Sequence, residues 1–171
     1  RCIVKPDREV LVMKKILFVC TGNTCRSPMA EGIFNSLAKE YHVDAVAESA
    51  GFDTEDGLPA SENAIKACSE IGVDISNHKS KKFDECNLDE YIKFLTMSFD
   101  HANILIDKGI PWNKIEVLCG ADHGVPDPYG FGLGIYRSCR DVIKRCIEKY
   151  FIKLEEKEKD SKVENEDNRN E

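Results

Sequence analysis

Cys20-Thr-Gly-Asn-Thr-Cys-Arg26-Ser27-Pro28 is the stretch from which the rest of this chain can be read. It follows the apolar run Ile16-Leu-Phe-Val19, which has the length and composition of a buried parallel strand. It precedes a segment of helical apolar spacing, with Pro28 expected at the first helical position. A glycine-bearing loop between a strand and a helix turns its backbone N–H groups inward, and the helix N-terminus adds partial positive charge, so an anion fits at its centre. The same field favours thiolate over thiol and makes Cys20 a nucleophile. Arg26 offers a planar fork of donors to two phosphoryl oxygens, a geometry lysine cannot imitate. Thr21, Gly22, Asn23, Thr24 and Cys25 complete the cradle, and the Ser27 hydroxyl is expected to donate to the Cys20 sulfur.

Outward from that loop, the chain reads as one domain. Its 171 residues, 42% hydrophobic and 32% charged, suffice for a sizeable core, and no apolar span approaches membrane length. A net charge of -7 argues against a general nucleic-acid surface, so any phosphate site is local. Eight cysteines, with no C-x2-C pair and no signal peptide, read as thiols of a reducing compartment, by default the cytoplasm. Met13 directly precedes the first strand and is expected to be the functional start, with residues 1–12 a dispensable extension.

Ala30, Ile33, Phe34, Leu37, Ala38 and Tyr41 recur at helical spacing, giving a helix from Pro28 to about His42. Residues 44–50 read as a second strand. A helix with Ala64, Ala67, Cys68 and Ile71 on its buried face ends at Gly72. Tyr91–Thr96 is a third strand, a helix follows from about Phe99 to Lys108, and Ile115–Leu118 is a fourth strand. The alternation predicts an α/β fold: a single doubly wound domain with a four-stranded parallel sheet and helices on both faces, its crevice outside the carboxyl ends of the strands. Residues 119–133, rich in glycine and proline, form a shaped loop centred on Asp127-Pro-Tyr129-Gly. Ile135, Cys139, Val142, Ile143, Cys146, Ile147, Tyr150 and Leu154 then give the clearest helical stripe, with Cys139 and Cys146 read as small core residues. The domain is expected over 13–154. The acidic and basic residues of 155–171 bury almost nothing and are expected to form a disordered tail.

The C-x5-R-S spacing at a strand-loop-helix junction resembles the low-molecular-weight protein phosphatase superfamily, and the resemblance runs from about Lys14 to about Leu154. It implies a phosphocysteine intermediate, a phosphorylated protein as substrate and no cofactor; no metal-ligand cluster stands in the sequence. A thiolate attacking phosphorus needs an acid on the leaving side. The Asp-Pro-aromatic pattern matches the family's general acid at Asp127, with Tyr129 as one wall of the entrance. Ser49 and His78 fall where the family places hydrogen-bonding partners for the loop asparagine, here Asn23. His42, His101 and His123 carry no assigned role, and Lys79, Lys81 and Lys82 read as a solvated face or a contact to an acidic part of the substrate. Cys25 either bridges an oxidised Cys20 or fills space behind the loop.

Within the superfamily the chain looks most like the protein arginine phosphatases. Thr24 stands where phosphotyrosine enzymes typically carry an aliphatic residue, and a hydroxyl there changes the polarity of the pocket wall. Gly130 leans the same way. Tyr129 departs, since arginine phosphatases more often show phenylalanine, and it keeps phosphotyrosine as the alternative substrate. Two further readings compete. Thiol-coupled arsenate reduction on this scaffold needs two more cysteines after the third strand, and a non-catalytic phospho-binding module would not need Cys20, Arg26 and Asp127 together.

Overall fold

The computed structural model describes residues 13–167, with side chains described through Lys153. The expected extension, 1–12, lies outside the described residues, as do the last residues of the expected tail, 168–171. The element order is β1 Lys14–Cys20, α1 Arg26–Glu40, β2 Ala45–Gly51, α2 Glu62–Ser69, β3 Tyr91–Thr96, α3 Phe99–Asp107, β4 Ile115–Val117 and α4 Leu133–Asp167. The four strands form one parallel sheet in the order β2-β1-β3-β4.

Register aligns the strand ends that matter. Cys20 pairs with Gly51, Val19 with Thr96, and Thr96 with Val117, so the carboxyl ends of all four strands share one edge. β1 is inner and buried on both faces, which explains its unbroken apolar run. Ile16 and Phe18 join the core beneath α1 and α4 with Met29, Phe34, Ile143 and Ile147. Leu17 and Val19 face the opposite core with Phe83, Phe94, Leu105 and Ile110. Helices therefore cover both faces of the sheet, the doubly wound arrangement that the alternation of elements predicts.

Pro28 is the third residue of α1 rather than the first. The shift costs no hydrogen bond, because the first four N–H groups of a helix have no intrahelical acceptor. α4 also differs from expectation. Its apolar stripe ends near Leu154, yet the helix continues through Asp167, in a stretch rich in glutamate and lysine, both good helix formers.

The cysteines require a larger correction. Cys119 and Cys146 form a disulfide with 5.5 Å between Cα atoms, so Cys146 is not a core thiol and not all eight cysteines are reduced. Cys139 is buried and its thiol donates to the Pro126 carbonyl at 3.7 Å; burial pushes it up to about 12. Cys119 follows β4 in the left-handed conformation, φ 58°, and the end of β4 lies beside α4, a neighbourhood invisible in linear spacing. The bridge spans a sequence separation of 27, for which the chain-entropy account gives about 3–4 kcal/mol of stabilisation. Reduction of the wild type should therefore lower Tm by about 10 °C. Cys146→Ala should melt at one temperature with or without dithiothreitol, and a wild-type Tm indifferent to reductant would contradict the bridge.

Candidate active site

The loop of residues 20–25 emerges from the carboxyl end of β1 and feeds directly into α1. α1 has no side-chain cap and no acidic residue in its first turn, so its orphan donors remain available to an anion. Cys20, Thr21, Gly22, Asn23, Thr24, Cys25 and Arg26 line a cavity of about 380 Å³, whose mouth is completed by Asp53, Asp127 and Tyr129. Cys20 is buried, 3% exposed. Its sulfur receives the Asn23 backbone N–H at 3.3 Å and lies 2.9 Å from the Ser27 hydroxyl.

The direction of that second bond follows from Asn23. Its Nδ2 donates to Ser27 Oγ and to Ser49 Oγ, both at 2.9 Å. Ser27 accepts one hydrogen from Asn23, leaving its own proton for the Cys20 sulfur. Such a donor stabilises a thiolate both as nucleophile and as leaving group. Asn23 Oδ1 accepts from the Lys81 backbone N–H at 2.9 Å. The Asn23 carbonyl accepts from His78 Nε2 at 2.8 Å, which fixes that nitrogen as the protonated one. Asn23 is fully buried with φ 53°, a left-handed conformation tolerated by asparagine when its surroundings over-determine it. Here every polar group of the residue has a partner.

The structure thus brings Ser49 and His78 against Asn23, and it adds two participants that the sequence did not single out. Glu31, one turn into α1, accepts from Ser49 Oγ and lies 3.9 Å from His78 Nδ1, so one carboxyl group touches both supports of Asn23. Burial pushes the Glu31 carboxyl above its usual range, while the Ser49 hydrogen bond opposes the shift. Burial likewise lowers His78. Lys81 is no simple solvated residue: besides its backbone bond to Asn23, its ammonium pairs with Glu48 at 3.3 Å. The second missed participant is His101. Its Nε2 lies 2.9 Å from Thr21 Oγ1. The signal available was position, since His101 sits in the first turn of α3, just beyond the carboxyl end of β3, where ligand crevices of parallel sheets form.

Two close approaches set the loop against its neighbours. A Cβ on Gly51 would meet the Thr21 carbonyl oxygen at 2.6 Å, so the end of β2 can reach the loop because it carries no side chain. There Phe52 N donates to Cys20 O at 3.1 Å and Asp53 N to Thr21 O at 3.0 Å. On the other side Ser61, the cap of α2, donates its backbone N–H to Thr24 O at 2.8 Å. The Cys25 thiol lies 3.2 Å from Tyr136 Oη and 3.6 Å from Ser61 Oγ. Cys25 therefore already has polar partners, which a bridge to Cys20 would have to break.

Arg26 is buried, and it meets the 119–133 loop. Nη1 donates to the Val125 carbonyl at 3.2 Å, and Nη2 lies 3.3 Å from Asp127 Oδ2. Asp127 Oδ1 accepts the Tyr129 N–H at 3.2 Å, an Asx turn that directs the carboxyl group to the cavity mouth. Tyr129, 75% exposed, stands at that mouth. The arrangement sets a thiol at the floor of an anion-sized pocket, a guanidinium on its wall and a carboxyl group at its entrance.

Known proteins share this arrangement of elements. The sequence model for low molecular weight phosphotyrosine protein phosphatases matches residues 15–161. The chain is 33% identical over 137 residues to a protein-arginine-phosphatase of Bacillus subtilis, covering 77% of this chain and 91% of the relative. It is 36% identical over 141 residues to an arsenate reductase of Staphylococcus aureus, covering 82% of this chain and 98% of the relative. A solved low molecular weight protein tyrosine phosphatase from T. tengcongensis matches with a TM-score of 0.78 at 39% identity, over 82% of this chain and 99% of that one. The relatives carry three different activities on one scaffold, so overall identity does not choose among their substrates. No helix among the described residues is long and apolar enough to cross a membrane. A four-stranded parallel sheet that ends in a C-x5-R-S loop, matched over nearly the whole domain, places this chain in the low molecular weight phosphotyrosine protein phosphatase family, as a cysteine-based phosphatase.

Proposed function

We propose that the protein removes phosphate from phosphoarginine side chains of proteins in the cytoplasm, with Cys20 as nucleophile, Arg26 as the clamp on the phosphoryl oxygens and Asp127 as acid and base. The observation that carries the chemistry is the Cys20 sulfur, held by two donors at the floor of the cavity, beneath the Arg26–Asp127 pair. Substrate phosphate would occupy the centre of the loop and take up the Arg26 donors. The thiolate attacks phosphorus as the P–N bond breaks, and Asp127 protonates the departing guanidine nitrogen. Asp127 then takes a proton from the water that attacks phosphocysteine, releasing inorganic phosphate and the thiolate. Ser49 and His78 support this reading by holding Asn23. A cytoplasmic setting would keep Cys20 reduced, and there Cys119 and Cys146 would be drawn toward the dithiol form.

The substrate rests on Thr24, half-buried in the wall of the cavity. A hydroxyl at this position suits a polar phosphoguanidinium, whereas an aliphatic group there would favour a phenyl ring. Arsenate reduction is disfavoured because residues 97–114, after β3, contain no cysteine. Cys68, elsewhere in the fold, is buried and pushed up to about 12.

Side-by-side hydrolysis of phosphoarginine and phosphotyrosine peptides tests the assignment. The wild type should prefer phosphoarginine. Thr24→Ile keeps β-branching while removing the hydroxyl, and should lower kcat/KM on phosphoarginine and raise it on phosphotyrosine. The combined shift should be roughly tenfold to several hundredfold, from a lost polar contact of about 1–3 kcal/mol and a gained apolar one of similar order. A wild type that prefers phosphotyrosine, with that preference unchanged in Thr24→Ile, would hand the assignment to the tyrosine reading.

A further inference from the structure

We infer that His101 is a positioning residue for the phosphate loop, holding Thr21, the residue next to the nucleophile, through a hydrogen bond made by an uncharged imidazole. The two halves of the loop are secured differently. Asn23 and its partners fix the second half. In the first half, backbone bonds from Phe52 and Asp53 reach the carbonyls of Cys20 and Thr21 on one side. The side chain of Thr21 meets His101 Nε2 at 2.9 Å on the other. A shift of Thr21 would move the backbone on both sides of it, including Cys20 and Gly22, which line the cavity.

The environment of His101 suits a fixed, neutral ring. The residue is 6% exposed, its ring centroid lies 5.9 Å from that of Phe52, and its own backbone N–H is taken by the Ser98 cap at 3.3 Å. Nδ1 is buried with no hydrogen-bond partner. A second ring proton would therefore be an orphaned donor carrying positive charge. The charged groups that act on the ring are Arg26 from α1, Asp100 from its own helix and Asp127 from the loop before α4. Burial acts first and Arg26 second to lower the ring's proton affinity, with Asp100 and Asp127 opposing them. The sign follows: the ring stays uncharged to a lower pH than an ordinary imidazole, and the stability this neutral ring gives the folded loop declines as pH falls through the imidazole range and below it.

This inference rests on the reading of the loop as a phosphate cradle, and its test separates the two. The probes are inorganic phosphate, whose affinity is read from the rise in Tm with concentration, and an activated aryl phosphate, whose kcat/KM is read from pH 5 to 8. Absence of any phosphate-dependent Tm rise in the wild type would remove the cradle itself. Given a cradle, Thr21→Val, a shape-conserving change at an exposed residue, should weaken phosphate binding and lower kcat/KM by about tenfold. His101→Ala should do the same, and the double variant should be no worse than either single one. His101→Gln, which restores a donor, should recover most of the loss at pH 7 and show a smaller decline toward pH 5 than the wild type. Losses that multiply in the double variant, or a Thr21→Val protein identical to wild type in phosphate affinity, would overturn the role, as would failure of glutamine to rescue.

Discussion

Cys20→Ser is expected to abolish turnover on every phosphorylated substrate, lowering kcat by roughly four orders of magnitude or more, as removal of a nucleophile does in other enzymes with covalent intermediates. The substitution changes one buried atom and leaves the Asn23 and Ser27 donors in place, so the fold and the pocket should survive. What disappears is the reactivity of sulfur. The two hydrogen bonds at 3.3 and 2.9 Å and the uncapped start of α1 all favour an anion at that position, and a thiol meets the demand far more readily than a hydroxyl. Phosphate affinity read by Tm should remain within a few-fold of wild type, because the loop N–H groups and Arg26 are untouched. Turnover by Cys20→Ser at an appreciable fraction of the wild-type rate would exclude the phosphocysteine route.

The second large effect is expected at Asp127, and its signature is dependence on the leaving group. Asp127→Asn can keep the Asx turn to Tyr129 through its amide oxygen, but it turns an NH2 toward Arg26 in place of the second carboxylate oxygen and can no longer deliver a proton. On phosphoarginine or phosphotyrosine peptides kcat should fall by about 10²–10⁴, the usual worth of general acid–base catalysis. On an aryl phosphate whose phenolate leaves unaided, formation of phosphocysteine should slow by about tenfold or less, so a burst of phenolate should precede slow hydrolysis of the intermediate. Equal losses on both classes of substrate, with no burst, would mean that Asp127 acts through Arg26 and the shape of the loop rather than as the acid. Arg26 and Asp127 are 3.3 Å apart, which is why a leaving-group series, and not a single rate, is the discriminating measurement.

These expectations draw on unequal shares of sequence and structure. The loop of residues 20–26 was legible because its chemistry is local: a thiol, a glycine and a guanidinium within one strand-loop-helix turn are placed by covalent spacing. The same holds for the alternation of strands and helices, whose apolar periods reported burial on two faces of β1 and one face of α4. Ser49 and His78 are legible only through family resemblance, and both lie at hydrogen-bonding distance from Asn23. Pro28 stands two positions later than expected because the helix begins at Arg26, directly where the loop ends, with no side-chain cap preceding it.

Whatever depends on sheet order was hidden. The sequence by itself determined a cysteine- and arginine-bearing loop at the end of the first strand and a parallel sheet wound on both faces, and it singled out the carboxyl group of Asp127. Only the tertiary structure decided that Arg26 meets Asp127, that Glu31 braces Ser49 while lying near His78, that His101 reaches Thr21, and that Cys119 finds Cys146 instead of remaining a thiol. Each of those contacts joins different elements around the edge where the pairs Cys20–Gly51, Val19–Thr96 and Thr96–Val117 end the strands, or across the seam between β4 and α4. Periodicity along a chain reports which side of an element is buried; which neighbour it is buried against is set by the order β2-β1-β3-β4, a property of the assembled sheet.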